Sequence, residues 1–294
     1  MHSTRSKTKP KHSVQFEALG TAWSIESDDE ISKDLETEIL AAIDRFDQTW
    51  SRFRRDSMVV QMNSAPGEYP LDQTGVKLLK WYRQLYDMTN GLVTPLIGQT
   101  IADSGYDHQY SLRANDSITQ TRAWGQQLSL NGSVLYASQP CLLDVGAAGK
   151  GAAVDVIAEI MKQHNHRQFT VDGSGDIYTT KHEVIGLEHP FDPSKIIGTA
   201  TIQNKSICGS ASNKRTWGDG LHHIIDPMTS KPTNDVIATW AIADTTMKAD
   251  GIATALFFVA PEILLRHVAF DYIIIHKDGK IAYSKHKDIT IFTS

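Results

Sequence analysis

The chain has 294 residues, of which 40% are hydrophobic and 21% are charged, so it is long enough to bury a large core. Its formal net charge of -5 gives no reason to expect nucleic acid as a partner, because proteins that bind nucleic acid usually carry a basic surface. The two cysteines lie far apart in the sequence and indicate neither a disulfide framework nor a zinc site.

The N-terminal segment bears on the location of the protein. Residues 1–13 are polar and basic and lack the apolar stretch of a signal peptide, so we expect a disordered lead. No stretch approaches the ~18 consecutive apolar residues of a membrane span. The sequence therefore predicts a cytoplasmic protein in which residues 14–294 form a single unit, since no repeat or low-complexity linker divides them.

The first ninety residues predict two strands and two helices. Residues 14–27 alternate between apolar and polar side chains and are bent at Gly20, as in two short strands. Apolar residues recur with the 3.6-residue period of a packed helix over residues 34–50 and 72–90. Between the helices, Phe53 lies among arginines. Phe53 is either a platform for an adenine ring, with the arginines reaching the neighbouring phosphates, or a core residue, with the arginines in solvent.

The glycine-rich turn at residues 146–151 is the most informative stretch. Residues 142–144 before it predict a buried strand, and residues 152–161 after it predict a helix. Such a turn directs backbone N–H groups and a helix N-terminus at an anion such as a pyrophosphate, and Lys150 adds a positive charge. A plain connection between strand and helix explains the same glycines, and neither of the two common phosphate-loop motifs is present.

The rest of the chain predicts mostly short strands. A loop is expected over residues 92–107 and a hairpin over residues 128–136. Further strands are predicted at residues 169–172, 183–187, 196–202, 205–208, 239–244, 272–276 and 280–283, and helices at 247–259 and 263–269. The glycines at 173 and 175 either bring the backbone close to a ligand or form a hairpin turn. We therefore expect an α+β fold of mixed, largely antiparallel sheets with packed helices.

Two pairs of side chains have the chemistry of a catalytic site. His222 and His223 are adjacent in a predicted strand, so at most one of them faces a given site, where its imidazole can accept a proton from an alcohol. Otherwise both are surface histidines before a turn. Asp250 and Thr254 lie one turn apart on a predicted buried helix, an arrangement that suits a hard cation such as Mg²⁺. The alternative is that both side chains bond to nearby backbone groups.

Seven segments, taken in order, resemble the ApbE-type FAD:protein FMN transferases. They are residues 19–21, 51–57, 89–95, 144–155, 173–177, 223–229 and 249–256. The most specific is His223-Ile224-Ile225-Asp226-Pro227-Met228-Thr229, which is similar to the His-Ile-Ile-Asp-Pro-x-Thr motif of that family. Each segment alone is common, whereas the ordered set is not.

The resemblance implies an enzyme that cleaves the pyrophosphate of FAD. FMN would be esterified through its phosphate to a threonine or serine of a reductase-type acceptor flavoprotein, with release of AMP. It implies that Asp250, Thr254 and the backbone carbonyl of Ala147 bind Mg²⁺, and that His223 is the catalytic histidine. The residues that it implies for FAD binding are Leu19, Phe53, Leu92, Val93, Thr94, Asp144, Lys150 and Ile225.

Some residues depart from the family pattern. Thr94 stands where an aspartate is usual, and Ala147 and Ser174 replace glycines. Two other functions stay open: an FAD pyrophosphatase, in which water replaces the alcohol, and a protein that binds FAD without chemistry. We favour catalysis, because a binding protein needs neither the histidine nor the metal pair.

Overall fold

The computed structural model describes residues 12–214, 216–218 and 220–292. The first strand begins at His12, so the last two residues of the predicted disordered lead belong to a sheet, while residues 1–11 lie outside the described part of the chain. No helix among the described residues is both long and apolar enough to cross a membrane.

Several helices begin at residues whose side chains cap the first turn. Ser32, Ser57 and Asp72 each accept a hydrogen bond from the backbone N–H three residues later, which satisfies a donor that every helix start leaves unpaired. The α-helices of the described residues are α1 (Lys33–Trp50), α2 (Met58–Ser64), α3 (Gln73–Met88), α4 (Gly98–Asp103), α5 (Trp124–Gln127), α6 (Gly149–Gln163), α7 (Thr246–Ala255) and α8 (Pro261–Leu265). A 3₁₀ helix covers Pro95–Ile97.

The strands are short, and most are joined by tight turns. In the described residues they are β1 (His12–Ala18), β2 (Thr21–Ser27), β3 (Gly67–Pro70), β4 (Leu128–Asn131), β5 (Val134–Ala137), β6 (Phe169–Asp172), β7 (Ile177–Thr179), β8 (Glu183–His189), β9 (Asp192–Ile202), β10 (Lys205–Ala211), β11 (Thr216–Trp217), β12 (Leu221–His222), β13 (Ile225–Asp226), β14 (Lys231–Pro232), β15 (Val236–Ala243), β16 (Asp271–His276), β17 (Ile281–Tyr283) and β18 (Ile289–Ile291). The hairpins predicted at residues 128–136 and 272–283 are confirmed.

The central sheet joins strands from both ends of the chain. Its order is β1-β2-β6-β7-β10-β15-β16-β17, and every pair of neighbours is antiparallel. A second sheet has the order β18-β9-β8, and a third has the order β3-β5-β4. The α+β class predicted from the sequence is confirmed.

The central sheet lies between two hydrophobic cores. Because successive side chains of a strand point to opposite faces, Ala241 and Ala243 of β15 join the core formed with helices α1, α3, α6 and α7. Trp240 and Ile242 of the same strand join the other core, to which β8 and β9 contribute. The sheet therefore supports a layer of helices on one face and a smaller sheet on the other.

Several sequence predictions about local structure are wrong. Helix α7 ends at Ala255 instead of residue 259, and α8 covers Pro261–Leu265 instead of residues 263–269. Residues 142–144 form no strand, because their backbone makes single contacts, such as the hydrogen bond from Asp144 N–H to the Pro95 carbonyl at 2.8 Å. The predicted loop at residues 92–107 contains the 3₁₀ helix and α4. Gly98 at the start of α4 packs against residue 142, since a Cβ on this glycine would lie only 2.4 Å from the Leu142 carbonyl oxygen.

Candidate active site

A cavity of about 640 Å³ lies where the β1–β2 turn, the end of α1, the start of α6 and helix α7 meet. Most of the residues that the sequence suggested for a site line it. They are Leu19, Phe53, Leu92, Val93, Thr94, Asp144, Ala147, Lys150, His223, Ile225 and Thr254. Asp250 is not among the lining residues: it is only 5% exposed and lies one turn before Thr254 on α7. Ser210, from the run of small residues in β10, also faces the cavity.

An ion pair holds the glycine-rich turn to the end of α1. Asp144 Oδ1 accepts a hydrogen bond from the N–H of Gly146 at 2.7 Å, and Asp144 Oδ2 accepts one from Nε of Arg52 at 2.5 Å. Arg52 also donates from Nη1 to the Tyr106 carbonyl at 2.6 Å. The sequence did not predict this role of Arg52. It predicted an arginine side chain that either contacts a phosphate or lies in solvent, whereas the side chain is buried. Its partner is 92 residues away in the sequence, so no local pattern reveals the pair.

Lys150 lines the cavity but its ammonium group is bound to the β6–β7 turn. Nζ donates to the Gly173 carbonyl at 2.9 Å and forms an ion pair with Asp176 Oδ2 at 2.9 Å. Burial alone would lower the pKa of Lys150, but the carboxylates of Asp176 and Asp250 outweigh it and raise the pKa, so the amine stays protonated. Residues 173–175 form a hairpin turn, one of the two alternatives that the sequence left open, and the carbonyls of this turn bind Lys150.

Helices α6 and α7 are in direct contact beside the cavity. The N–H of Gly151 donates to Asp250 Oδ2 at 2.9 Å. The two carboxylate oxygens of Asp155 accept the N–H groups of Thr246 and Met247 at 2.8 and 2.9 Å, which caps the start of α7. Burial raises the pKa of Asp155 despite these hydrogen bonds. The last residue of the 144–155 motif therefore fixes α7 and does not line the cavity.

Three oxygen donors have the chemistry of a site for a hard cation. They are the Asp250 carboxylate, the Thr254 hydroxyl and the Ala147 backbone carbonyl, and the Ala147 N–H donates to the buried Tyr82 hydroxyl at 3.1 Å. Oxygen-only donor sets suit Mg²⁺ or Ca²⁺ and not zinc. Within the described residues no cluster of three or more His, Cys, Asp or Glu side chains could hold a metal, so a cation here needs the hydroxyl and carbonyl oxygens as well.

The two adjacent histidines have different surroundings. His222 is buried, its Nε2 donates to the Thr233 carbonyl at 2.8 Å, and its Nδ1 accepts the N–H of Ile224 at 3.3 Å. Burial lowers the pKa of His222, so this ring is neutral and structural. His223 is half-buried and lines the cavity. Only His223 of the pair lines the cavity, although the predicted strand ends at His222 and does not include His223.

An aromatic wall bounds one side of the cavity; it consists of Phe53, Tyr106 and Tyr110. Phe53 stacks on Tyr110 at a centroid distance of 5.1 Å and meets the edge of Tyr106 at 5.7 Å. Tyr106 in turn stacks on Trp217 at 5.4 Å. Sequence reasoning missed the two tyrosines and the tryptophan. The available signal was the pair of tyrosines four residues apart in an otherwise polar segment.

Leu19 reaches the cavity from a strained position. It begins the β1–β2 turn with a φ of 52°, and Gly20 follows with a φ of 72°. Left-handed backbone is uncommon for a side chain such as leucine, and such outliers often mark functional sites. This conformation places an apolar side chain at the cavity wall, at a residue for which the family resemblance implies a contact with FAD.

Comparison with known proteins assigns the family. The model of the ApbE family matches residues 19–273. The chain belongs to the ApbE family. Curated ApbE relatives include the FAD:protein FMN transferases of Klebsiella pneumoniae, which is 24% identical over 76% of this chain and 75% of the relative, and of Escherichia coli, which is 23% identical over 85% of this chain and 78% of the relative.

Solved ApbE structures have the same fold. The flavin transferase ApbE from Vibrio cholerae matches with a TM-score of 0.77 at 20% identity, over 94% of this chain and 98% of that chain. The ApbE protein from Thermotoga maritima matches with a TM-score of 0.80 at 21% identity, over 93% and 97% of the two chains. At these identities the likeness concerns the architecture described above.

Proposed function

We propose that this ApbE-family chain is a Mg²⁺-dependent FAD:protein FMN transferase. It transfers FMN from FAD to a threonine or serine of an acceptor protein and releases AMP. The observation that carries the proposal is the convergence of His223, Lys150, Thr254 and Ala147 on a single cavity, from three separate segments between residues 147 and 254. The names of the curated relatives support the same activity.

The cavity suits a dinucleotide in size and in lining. Its volume of about 640 Å³ lies within the ~300–1,000 Å³ that is usual for ligand pockets. Aromatic rings line one part and provide flat apolar surfaces, whereas the start of α6 places the positive end of the helix dipole at the cavity, where it stabilises an anion. Rings and diphosphate of FAD therefore have separate complementary surfaces.

The reaction joins the acceptor hydroxyl to a phosphorus of the diphosphate. An O–P bond forms between the acceptor oxygen and the phosphate of the FMN half, the bond from that phosphorus to the bridging oxygen breaks, and the bridging oxygen leaves with AMP. We assign to His223 the acceptance of the hydroxyl proton, because it is the half-buried imidazole at the cavity. The α6 N-terminus offsets negative charge on the phosphates.

Charge balance favours a divalent cation in this cavity. The charged side chains that line the cavity or pair with Lys150 and the glycine-rich turn are Arg52, Arg54, Lys150, Asp47, Asp144, Asp176 and Asp250. These three cations and four carboxylates carry one net negative charge before a diphosphate brings more, and uncompensated buried charge is costly. Asp250, Thr254 and the Ala147 carbonyl would hold Mg²⁺, which when bound neutralises phosphate charge and polarises the phosphorus.

We infer the acceptor from the family resemblance and the cellular location from the sequence. A reductase-type flavoprotein that offers a threonine or serine remains the predicted partner. The cytoplasmic location also stays a prediction, as does the single unit spanning residues 14–294.

Product analysis tests the proposal directly. The purified protein is incubated with FAD and Mg²⁺, with and without a peptide that carries a candidate acceptor threonine, and AMP, FMN and the peptide mass are followed. A peptide that gains one FMN, with AMP released in equal amount, supports the transferase. Free FMN and AMP without acceptor would identify a pyrophosphatase. Intact bound FAD with several acceptors, and with Mn²⁺ in place of Mg²⁺, would identify a binding protein.

A further inference from the structure

The loop that carries Tyr110 is held in an unusual conformation beside the cavity. Tyr110 has a φ of 52° and Leu112 a φ of 54°, both in the left-handed region that non-glycine residues rarely adopt. Local hydrogen bonds maintain this shape: the N–H of Tyr110 donates to the Asp107 carbonyl at 3.1 Å, and the N–H of Leu112 donates to the Gly105 carbonyl at 2.8 Å. Strain that is maintained in this way is typical of ligand-binding loops.

The conformation presents a tyrosine ring to the cavity. The side chain of Tyr110 lines the cavity and the residue is 52% exposed. Its ring is nearly parallel to that of Phe53, with an interplanar angle of 4°, and it meets the edge of Tyr106 at 5.5 Å. The ring is thus supported by the protein through its aromatic neighbours while part of its surface stays open.

Arg52 fixes the support beneath this ring. Its guanidinium carbon lies 4.2 Å from the centroid of Phe53 and 5.1 Å from that of Tyr106, within range of cation–π attraction. Nη1 holds the Tyr106 carbonyl, and Nε is paired with Asp144. One side chain therefore ties the aromatic wall to the glycine-rich turn, so that the distance between the two parts of the cavity is set by the guanidinium.

We propose that Tyr110 stacks against one of the two planar rings of FAD, adenine or isoalloxazine, and that Arg52 is the positioning residue for this contact. The inference rests on the proposed function, since it takes FAD as the ligand. An open aromatic face on a rigid support is a ready surface for a planar heteroaromatic ring. Tyr110 then adds a contact at the aromatic wall that the sequence motifs do not mark.

Separate binding measurements on the two halves of FAD test the inference. Affinities for FAD, ADP and FMN are measured calorimetrically for the wild type and for Tyr110→Ala, Tyr110→Phe, Arg52→Lys and Arg52→Gln. We expect Tyr110→Ala to weaken FAD binding about tenfold, and to weaken either ADP or FMN but not both. Tyr110→Phe keeps the ring and should bind like the wild type. Both Arg52 variants should weaken the same half as Tyr110→Ala, and the half affected identifies the ring.

Matched controls separate a local effect from general destabilisation. Tyr136→Ala removes a tyrosine that is 47% exposed on β5 and does not line the cavity. Arg83→Gln removes a surface arginine that pairs with Asp87 at 2.7 Å and lies over the ring of Tyr86 at 5.3 Å. Both should bind FAD, ADP and FMN like the wild type. If Arg52→Gln does not fold, Arg52→Lys decides the point.

The outcomes distinguish this inference from the proposed function. Wild-type protein that binds FAD while Tyr110→Ala binds it equally well overturns the role of Tyr110. Equal weakening of ADP and FMN in the variants also overturns it, because a single stacked ring predicts an effect on one half. Wild-type protein that binds no FAD overturns the proposed function itself.

Discussion

Gly151 is the residue at which a single added methyl group should damage both the fold and the site. A Cβ on this glycine would lie 2.3 Å from the Thr246 carbonyl oxygen, 2.6 Å from the Thr246 carbonyl carbon and 2.8 Å from Asp250 Cβ. Two of these atoms belong to the backbone, which cannot rotate away, so Gly151→Ala must push α6 and α7 apart. The shift would act on Asp250, whose carboxylate accepts the Gly151 N–H.

The magnitude follows from the cost of overpacking. Forcing an extra methyl group into a packed core lowers the free energy of unfolding by ~1–3 kcal/mol, part of which alanine offsets through its higher helix propensity. For a chain of this size the melting temperature should fall by roughly 2–6 °C. We also expect transfer activity to fall at least about tenfold at limiting Mg²⁺, with partial recovery at high Mg²⁺, because the displaced residue is the carboxylate of the candidate cation site.

Thermal unfolding and Mg²⁺ titration of activity measure the two effects. Gly125→Ala is the matched control, since this helical glycine has no atom within 4 Å of an added Cβ and its substitution should be neutral or slightly stabilising. A Gly151→Ala protein with the melting temperature and Mg²⁺ dependence of the wild type would refute the close α6–α7 contact as described.

Three further substitutions test the site and the surrounding fold. Asp250→Ala should abolish Mg²⁺-dependent turnover in the AMP-release assay while the protein stays folded by circular dichroism; wild-type turnover would exclude the metal assignment. His223→Ala should retain FAD binding and lose transfer, whereas loss of FAD binding would make this histidine structural. Burial lowers the pKa of His222 below its ordinary 6.5, so below that pH the unfolded state binds the proton more readily. The melting temperature should therefore fall as the pH drops below 6.5, and less so in His222→Gln; an unchanged slope would contradict the neutral ring.

Patterns with a regular period predicted the two long helices nearest the N-terminus well. The 3.6-residue recurrence of apolar residues anticipated α1 and α3 to within two residues at each end, because each helix buries one face on the core.

The apolar residues 142–144 illustrate the limit of such reasoning. They are largely buried, as predicted, but burial of a short extended segment does not require a strand partner, and here single hydrogen bonds to distant carbonyls replace the ladder.

The sequence predicted the residues of the candidate site only where they belong to a short motif. His223 and Thr254 were identified from motifs, and the structure brings both to the cavity. Arg52 and Tyr110 were not identified, because their importance comes from contacts with residues distant in sequence or with neighbouring rings. Residues 105–112 have a composition that is common in loops, and nothing in it predicts their strained, hydrogen-bonded conformation.

The motif at residues 144–155 shows how one stretch can serve several structural roles at once. Asp144 is tied to Arg52 at the cavity wall, and Lys150 holds the β6–β7 turn through Asp176. Gly151 allows α7 to pack closely against α6, and the Asp155 carboxylate accepts hydrogen bonds from the first N–H groups of α7. The sequence interpretation assigned the charge of Lys150 to a phosphate, but an ammonium group already bound to a carboxylate and two carbonyls offsets less charge on a ligand. In the proposed function, the α6 N-terminus and a cation at Asp250 would then neutralise most of the diphosphate, so the proposal makes the α6–α7 contact a condition for catalysis and not only for stability.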